Sequence, residues 1–170
     1  MAHFAQINSS DNIVTTILVI NDSKLLDGNG DVSEAVGIAY MESIWSESGK
    51  YWRQCSYNTR EGAHILGGTP FRKNFPQPGW TFNASADAFN PPRPTDMNDD
   101  PCTSWTITSS TGVWDAPIAR PSDDMVFATT EYNAETKEWK VTNGKDKIYF
   151  WDESVYQGDN TKGWVEEPRE

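Results

Sequence analysis

Apolar and polar residues alternate over short distances along most of this chain, the period of half-buried strands, and only one stretch carries helical spacing. Residues 3–7 (HFAQI) read as a short strand, residues 8–12 (NSSDN) as a turn built from turn-favouring residues, and residues 13–20 (IVTTILVI) as a β-branched strand. The run Ile17-Leu18-Val19-Ile20 is apolar at every position, so this second strand is expected to be central and covered on both sides. The covering element follows. Ser33 is placed to cap a helix from Glu34 to about Trp45, with Val36, Tyr40 and Ile44 on one stripe, Met41 and Trp45 beside it, and Gly37 as a cost in helix propensity. Residues 51–57 (YWRQCSY) predict the next strand, completing an α+β unit.

Downstream, one pattern recurs: aromatic, short polar turn, aromatic. In 71–94 (FRKNFPQPGWTFNASADAFNPPRP), Trp80 and Phe82 precede a turn over 83–87, and Phe89 returns just before prolines that end the strand. Tyr132 to Trp139 repeats it, as does the tract from Tyr149 and Trp151 to Trp164, and Trp105 to Trp114 is a looser copy. Uneven spacing argues for tandem hairpins and against a solenoid. The fold class predicted is therefore mainly β (α+β), with a docking unit over 1–70, a proline-bounded hairpin segment over 71–121 and aromatic hairpins over 122–170.

Composition sharpens this reading. Mean hydropathy is −0.67, and eight Trp, six Tyr and seven Phe stand in for scarce aliphatics, which predicts a distributed aromatic core. A formal charge of −11 argues against phosphate-mediated binding of nucleic acid and against an anionic membrane surface. It suits a soluble chain, or one tolerating salt or meeting a basic partner. No secretory apolar region and no apolar run near membrane-spanning length is seen, so the three N-x-S sites at Asn8, Asn21 and Asn83 carry no weight. Cys55 and Cys102 are read as small buried hydrophobes.

Catalytic chemistry is sought without success. Only His3 and His64 offer imidazole, and neither lies by a nucleophile motif. Two His and two distant Cys do not make a zinc pattern, and no phosphate-cradling glycine loop occurs. Residues 27–31 (DGNGD) imitate a calcium loop, but Val32 and Ile38 stand where Gly and a bidentate Glu are required, so a turn of the Asn-Gly type is expected. Carboxylate pairs suited to glycoside hydrolysis are too numerous to choose among. No enzyme activity, no cofactor and no metal is expected. Arg72 and Lys73 form a basic pair between Phe71 and Phe75. They suit contact with a glycan or an acidic neighbouring subunit, or pairing with local acids.

The opening MAHFAQI with VTTILVIND, the tract WRQCSYNTREG, the phrase GGTPFRKNF leading into GWTFNASADAFNPPRP, and CTSWTI with VWDAPIARP together resemble a family of small virion structural proteins of marine tailed phages, cyanophages among them. Where the family has a glycine-rich link after FRKN, this chain has FPQPG. The resemblance implies a virion component and no catalytic residue. Two readings follow. One is a capsid decoration or accessory protein on the virion exterior, made in the host cytoplasm, present in many copies or as a homo-oligomer. It would dock on major capsid or tail subunits through an edge strand with His3, Phe4 and Ile7, and through Arg72 and Lys73. The other is a tail-fibre or adhesin-like module in which Trp114, Trp139, Trp151 and Trp164, with Tyr149, stack on host glycans. Exposed coplanar rings favour the second, and rings packed into their own hairpins favour a structural role.

Overall fold

The computed structural model describes residues 1–122, 135 and 147–167 fully, and 130–133 and 138–141 as backbone. It is a mainly β protein with short antiparallel pairs, and it divides into two compact units: Met1–Pro92 with Ile107–Trp114, and Arg93–Thr106 with Asp115–Glu170. The segment expected over 71–121 is thus shared between the units.

In the first unit, β1 (Ala2–Asn8), β2 (Val14–Ile20) and β3 (Lys50–Cys55) form an antiparallel sheet in the order β2-β1-β3. The central strand is β1, not β2 as its apolar run suggested. β2 lies on an edge, and Val19 is 50% exposed. Period-two alternation sorts β1 between two cores. Ala2 and Phe4 face α1 (Glu34–Ile44), packing with Leu25, Met41 and Trp52, while Ala5 and Ile7 pack with Val14, Cys55, Phe82 and Phe89. The last two belong to a hairpin of β6 (Thr81–Asn83) and β7 (Ala88–Asn90), in register Phe82↔Phe89. Its turn is closed by the Asn83 side chain, whose Oδ1 accepts from the Ser85 and Ala86 amides. Two backbone bonds, Val14 N–H to Trp80 O and Phe82 N–H to Asn12 O, tie this hairpin to the β1–β2 turn, so it forms a layer of the unit.

The helix buries a different stripe from the one its sequence suggests. Gly37 and Met41 are its buried residues, and Ile44 and Trp45 are exposed. Gly37 decides this. A Cβ there would overlap the Phe4 ring and sit 3.2 Å from Leu25 Cγ, so only glycine lets the helix approach the sheet this closely. Between sheet and helix, Asp27 Oδ1 accepts from the Asn29 and Asp31 amides and a Leu26↔Val32 bridge closes the turn; it stands in place of a calcium loop but is not the Asn-Gly turn expected, because Gly30 has positive φ and Asn29 does not. The first unit also holds β4 (Thr59–Arg60) paired with β5 (Ala63–His64). Its Ile107–Trp114 stretch is the turn of a hairpin between β8 (Thr106–Ile107) and β9 (Trp114–Asp115).

In the second unit, β10 (Thr130–Asn133) pairs with β11 (Glu138–Val141), placing Tyr132 opposite Trp139, and β12 (Tyr149–Trp151) pairs with β13 (Trp164–Glu166), placing Trp151 opposite Trp164. The longer return between β12 and β13 contains a helix absent from the sequence reading, α2 (Glu153–Gly158), capped by Asp152 Oδ1 on the Val155 amide. Around it Trp105, Trp151, Tyr156 and Trp164 pack as tilted and edge-to-face rings 5.3–6.1 Å apart. Gly163 leaves room for the Trp151 ring, which a Cβ there would overlap.

Glu153 holds this cluster together. Its carboxylate accepts from Thr103 Oγ1 (2.7 Å), the Ser104 amide (2.8 Å), Ser104 Oγ (2.8 Å), Trp151 Nε1 (2.9 Å) and Gln157 Nε2 (2.9 Å). Burial alone would raise its pKa, but the Trp151, Thr103, Gln157 and Ser104 donors outweigh burial and hold it at about 2.

Two predictions follow from this packing. Gly37→Ala gains about 1 kcal/mol in helix propensity but overpacks Phe4 at about 1–3 kcal/mol, so denaturant melts should show a net loss that Phe4→Leu relieves in the double variant. Glu153→Ala strands several donors at once, at about 3 kcal/mol. The gap between wild type and this variant should be complete above pH 4.5 and shrink as pH falls toward 2, because the folded-state pKa is depressed. Thermal melts across that range, followed by near-ultraviolet circular dichroism, measure both.

Candidate functional site

The first unit carries an open cleft of about 430 Å³ beside the β4–β5 hairpin. Its geometry begins with backbone chirality. Glu61 and Gly62, the two residues between β4 and β5, both have positive φ (50° and 81°), the turn that matches the twist of a two-residue hairpin. Opposite, Arg72 (55°) and Lys73 (59°) are also left-handed, which folds the chain back so that the Phe75 amide bonds Thr59 O and the Gly62 amide bonds Lys73 O. Three of these four are not glycine, and such backbone is retained only where its surroundings hold it. Asn74 does the holding. Buried, it accepts from the Glu61 amide (2.9 Å) and donates to Phe89 O (3.1 Å) and Thr111 O (2.9 Å).

Aromatic rings line one part of the cleft: Tyr57, Phe75 and Trp80. Tyr57 and Phe75 meet edge to face at 5.4 Å, and behind them His3 stacks with Tyr57 at 6.4 Å and meets Phe75 edge to face at 5.3 Å. Burial, aided by the nearby chain-terminal ammonium, lowers the His3 pKa, so the ring is held neutral among its aromatic neighbours. The polar part is formed by Arg60, Glu61 and Gln77. Arg60 Nε lies 3.4 Å from Glu61 Oε1. The loop after β5 returns toward Tyr57 through a bond from the Ile65 amide to Asn58 O and wraps around His64, whose Nδ1 accepts from the Leu66 and Gly68 amides. The wrap turns Ile65 and Leu66 outward, 65% and 75% exposed, near Tyr57 in the chain at 70%.

The residues singled out from the sequence are distributed differently. Phe4 and Ile7 are fully buried, and β1 is paired on both sides, so an edge-strand contact through His3, Phe4 and Ile7 is corrected: β1 has no free edge and only His3 is partly open. Arg72 is likewise committed inward. Its guanidinium pairs with Glu34 at 2.7 Å, lies 3.5 Å from Asp87, donates to Gln54 O at 2.7 Å and covers the Phe82 ring, with its side chain one-tenth exposed. This is the local-acid reading of Arg72. Lys73 Nζ donates to Ser109 O.

Of the candidate glycan rings, Trp151 is buried, with its indole N–H on Glu153. Trp164 donates to Ile118 O at 2.9 Å beneath Arg120, and Trp114 donates to Pro91 O at 2.9 Å. Those three rings are packed into their own units, the arrangement that favours a structural role, and the backbone of Tyr149 accepts from Arg120. The side chain of Trp139 lies outside the described residues. The cleft rings were missed because Tyr57 reads as the end of a strand and Phe75 as a flank of the basic pair. The available signal was Tyr57 lying beyond the last buried strand residue, Cys55.

The acids whose pKa is lowered here act as structural acceptors. Asp159 is held at about 2 by Thr161 and Lys162, and Asp152 is lowered by Ser154 and the Val155 amide. For Asp96, burial works upward but is outweighed by the amides of Glu153, Asn98 and Asp100. Burial pushes the Cys55 thiol up to about 12 and the Cys102 thiol up to about 11, so both stay protonated, and both are unpaired. Among the described residues, no group of three or more His, Cys, Asp or Glu is placed to hold a metal ion, and no helix is long and apolar enough to cross a membrane.

Arg72→Ala should cost about 3 kcal/mol in urea denaturation, since it leaves Glu34 and the Gln54 carbonyl without their partner, and Arg72→Lys should recover only part of this because it lacks the planar fork. A residue reserved for docking would cost close to nothing. Compared with protein families, with curated proteins and with solved structures, the chain shows no match.

Proposed function

We propose that this chain is a non-enzymatic structural protein on the exterior of a tailed-phage virion, serving as a capsid decoration or accessory protein. The observation that carries the reading is the outward-turned apolar group of Ile65 and Leu66, with Tyr57 close in sequence, on a chain of net charge −11. Apolar residues held out by a hydrogen-bonded loop are stabilised when another protein covers them, and an acidic remainder keeps many copies soluble. The sequence resemblance to virion proteins of marine tailed phages agrees with this. The lowered carboxylates also agree, because Asp96, Asp152, Glu153 and Asp159 are explained by a cap, a turn or the Trp cluster, and Glu47 by its hydrogen bonds with Lys50 and Trp45, without invoking acid–base chemistry. The partners on this reading are major capsid or tail subunits, engaged through the β5 loop and not through β1.

A second reading, a tail-fibre or adhesin-like module, is favoured by the open cleft, where Tyr57, Phe75 and Trp80 stand beside Arg60, Glu61 and Gln77, although the Tyr57 and Phe75 rings meet edge to face and are not the coplanar pair expected. Antibody labelling of intact particles, viewed by electron microscopy, separates the two. Even labelling over the head is the expected result, label confined to the tail or fibre ends supports the second reading, and absence from purified particles removes both.

A further inference from the structure

We infer that the cleft beside the β4–β5 hairpin binds neutral pyranose units of a glycan. This goes beyond the structural role and deepens the second reading, on which it rests for the idea of a glycan partner; binding is measured on the purified chain, so its outcome is separate from where the chain sits on a particle.

The volume of about 430 Å³ falls within the range of small-molecule sites, about 300–1,000 Å³. Its chemistry is divided as a sugar's is. A pyranose has C–H faces that pack on aromatic rings and a rim of hydroxyls that seek planar hydrogen-bonding groups. Tyr57, Phe75 edge to face with it, and Trp80 supply the rings, and Gln77, Arg60 and Glu61 supply an amide, a guanidinium and a carboxylate. The backbone of the cleft is held by its own hydrogen bonds: Asn74 accepts from the amide of left-handed Glu61, and the left-handed turn at Arg72 and Lys73 brings the Phe75 amide to Thr59 O.

Competing ligand classes fit less well. An anionic sugar or a phosphate needs net positive charge, but Arg60 already has Glu61 beside it and the chain is strongly acidic. An extended peptide needs an open strand edge to pair with. The outer edge of β4 is taken, because Thr59 O accepts the Phe75 amide. A wholly apolar ligand would strip water from Arg60, Glu61 and Gln77 and replace none of its hydrogen bonds.

The test is a titration of the 15N-labelled full chain, followed by NMR chemical shifts, with maltohexaose, cellohexaose, mannohexaose and N-acetylchitohexaose. Expected is saturable binding of at least one of them, with a Kd of about 1 mM as befits a single shallow site, and shifts confined to residues 57–61, 74–80 and 113. Tyr57 is largely exposed, so Tyr57→Ala should leave the fold intact and weaken binding by about tenfold, equivalent to about 1.4 kcal/mol. Gln77→Ala should weaken it as well. Trp45→Ala removes an exposed ring elsewhere in the same unit and should leave binding unchanged. The assignment is overturned by a lack of saturable shifts with all four sugars, by shifts centred on other residues, or by equal losses in the Tyr57 and Trp45 variants.

Discussion

The first unit depends on β1 being covered on both faces. Phe4 projects toward the helix and Ile7 toward the β6–β7 hairpin, and each is wholly buried. Such a strand needs a partner layer that comes very close on each side. Gly37 supplies this on the helical side, where the absent Cβ admits the Phe4 ring. On the other side Phe82 and Phe89, ring centroids 5.1 Å apart, present a broad apolar face. Arg72 then joins the parts around it: its pair with Glu34, which also accepts from the Gln54 amide, links the start of α1 to β3 and to the segment that leads into the cleft. The cleft is consequently anchored to the most buried part of the unit.

Part of the chain's acidity serves the framework. Asp27 and Asp96 make the same turn, each Oδ1 accepting from the amides two and four residues on, with Leu26↔Val32 and Thr95↔Pro101 bridges closing them. Asp152 caps a helix, Asp159 closes the turn after it, and Glu153 collects five donors beneath the tryptophans. A carboxylate accepting several hydrogen bonds stays ionised, which fits a framework acceptor better than a proton carrier.

The aromatic residues likewise separate into two groups by what their polar atoms do. Trp114, Trp151 and Trp164 spend their indole N–H groups on backbone or buried carboxylate, which fixes each ring in its unit. Tyr57 has its ring largely in solvent, supported from behind by His3 and Phe75. The proposed glycan cleft draws on Tyr57 with Phe75 and Trp80, while the hairpin rings Trp114, Trp151 and Trp164 are committed to packing.

Local signals in the sequence determined the mainly β class, the strands expected over 3–7, 13–20 and 51–57 and found at Ala2–Asn8, Val14–Ile20 and Lys50–Cys55, a helix starting after Ser33, although the Ser33 side chain makes no capping bond, a turn over 27–31 and the aromatic hairpins, because alternation, turn residues and prolines act within a few positions. Three things were left to tertiary structure. Which strand is central was not legible, since the apolar run of β2 and the milder HFAQI of β1 are both good strands, and only the layers above and below choose between them. Which face of α1 is buried turned on Gly37, whose value lies in a contact with Phe4 thirty-odd positions away and whose local propensity argues the other way. The cleft was hidden because its walls come from 57–61, 74–80 and 113, brought together by left-handed backbone at Glu61, Arg72 and Lys73 that no side-chain pattern announces. Spacing along a chain reports its own neighbours, and a site assembled from distant loops exists only after the fold has closed.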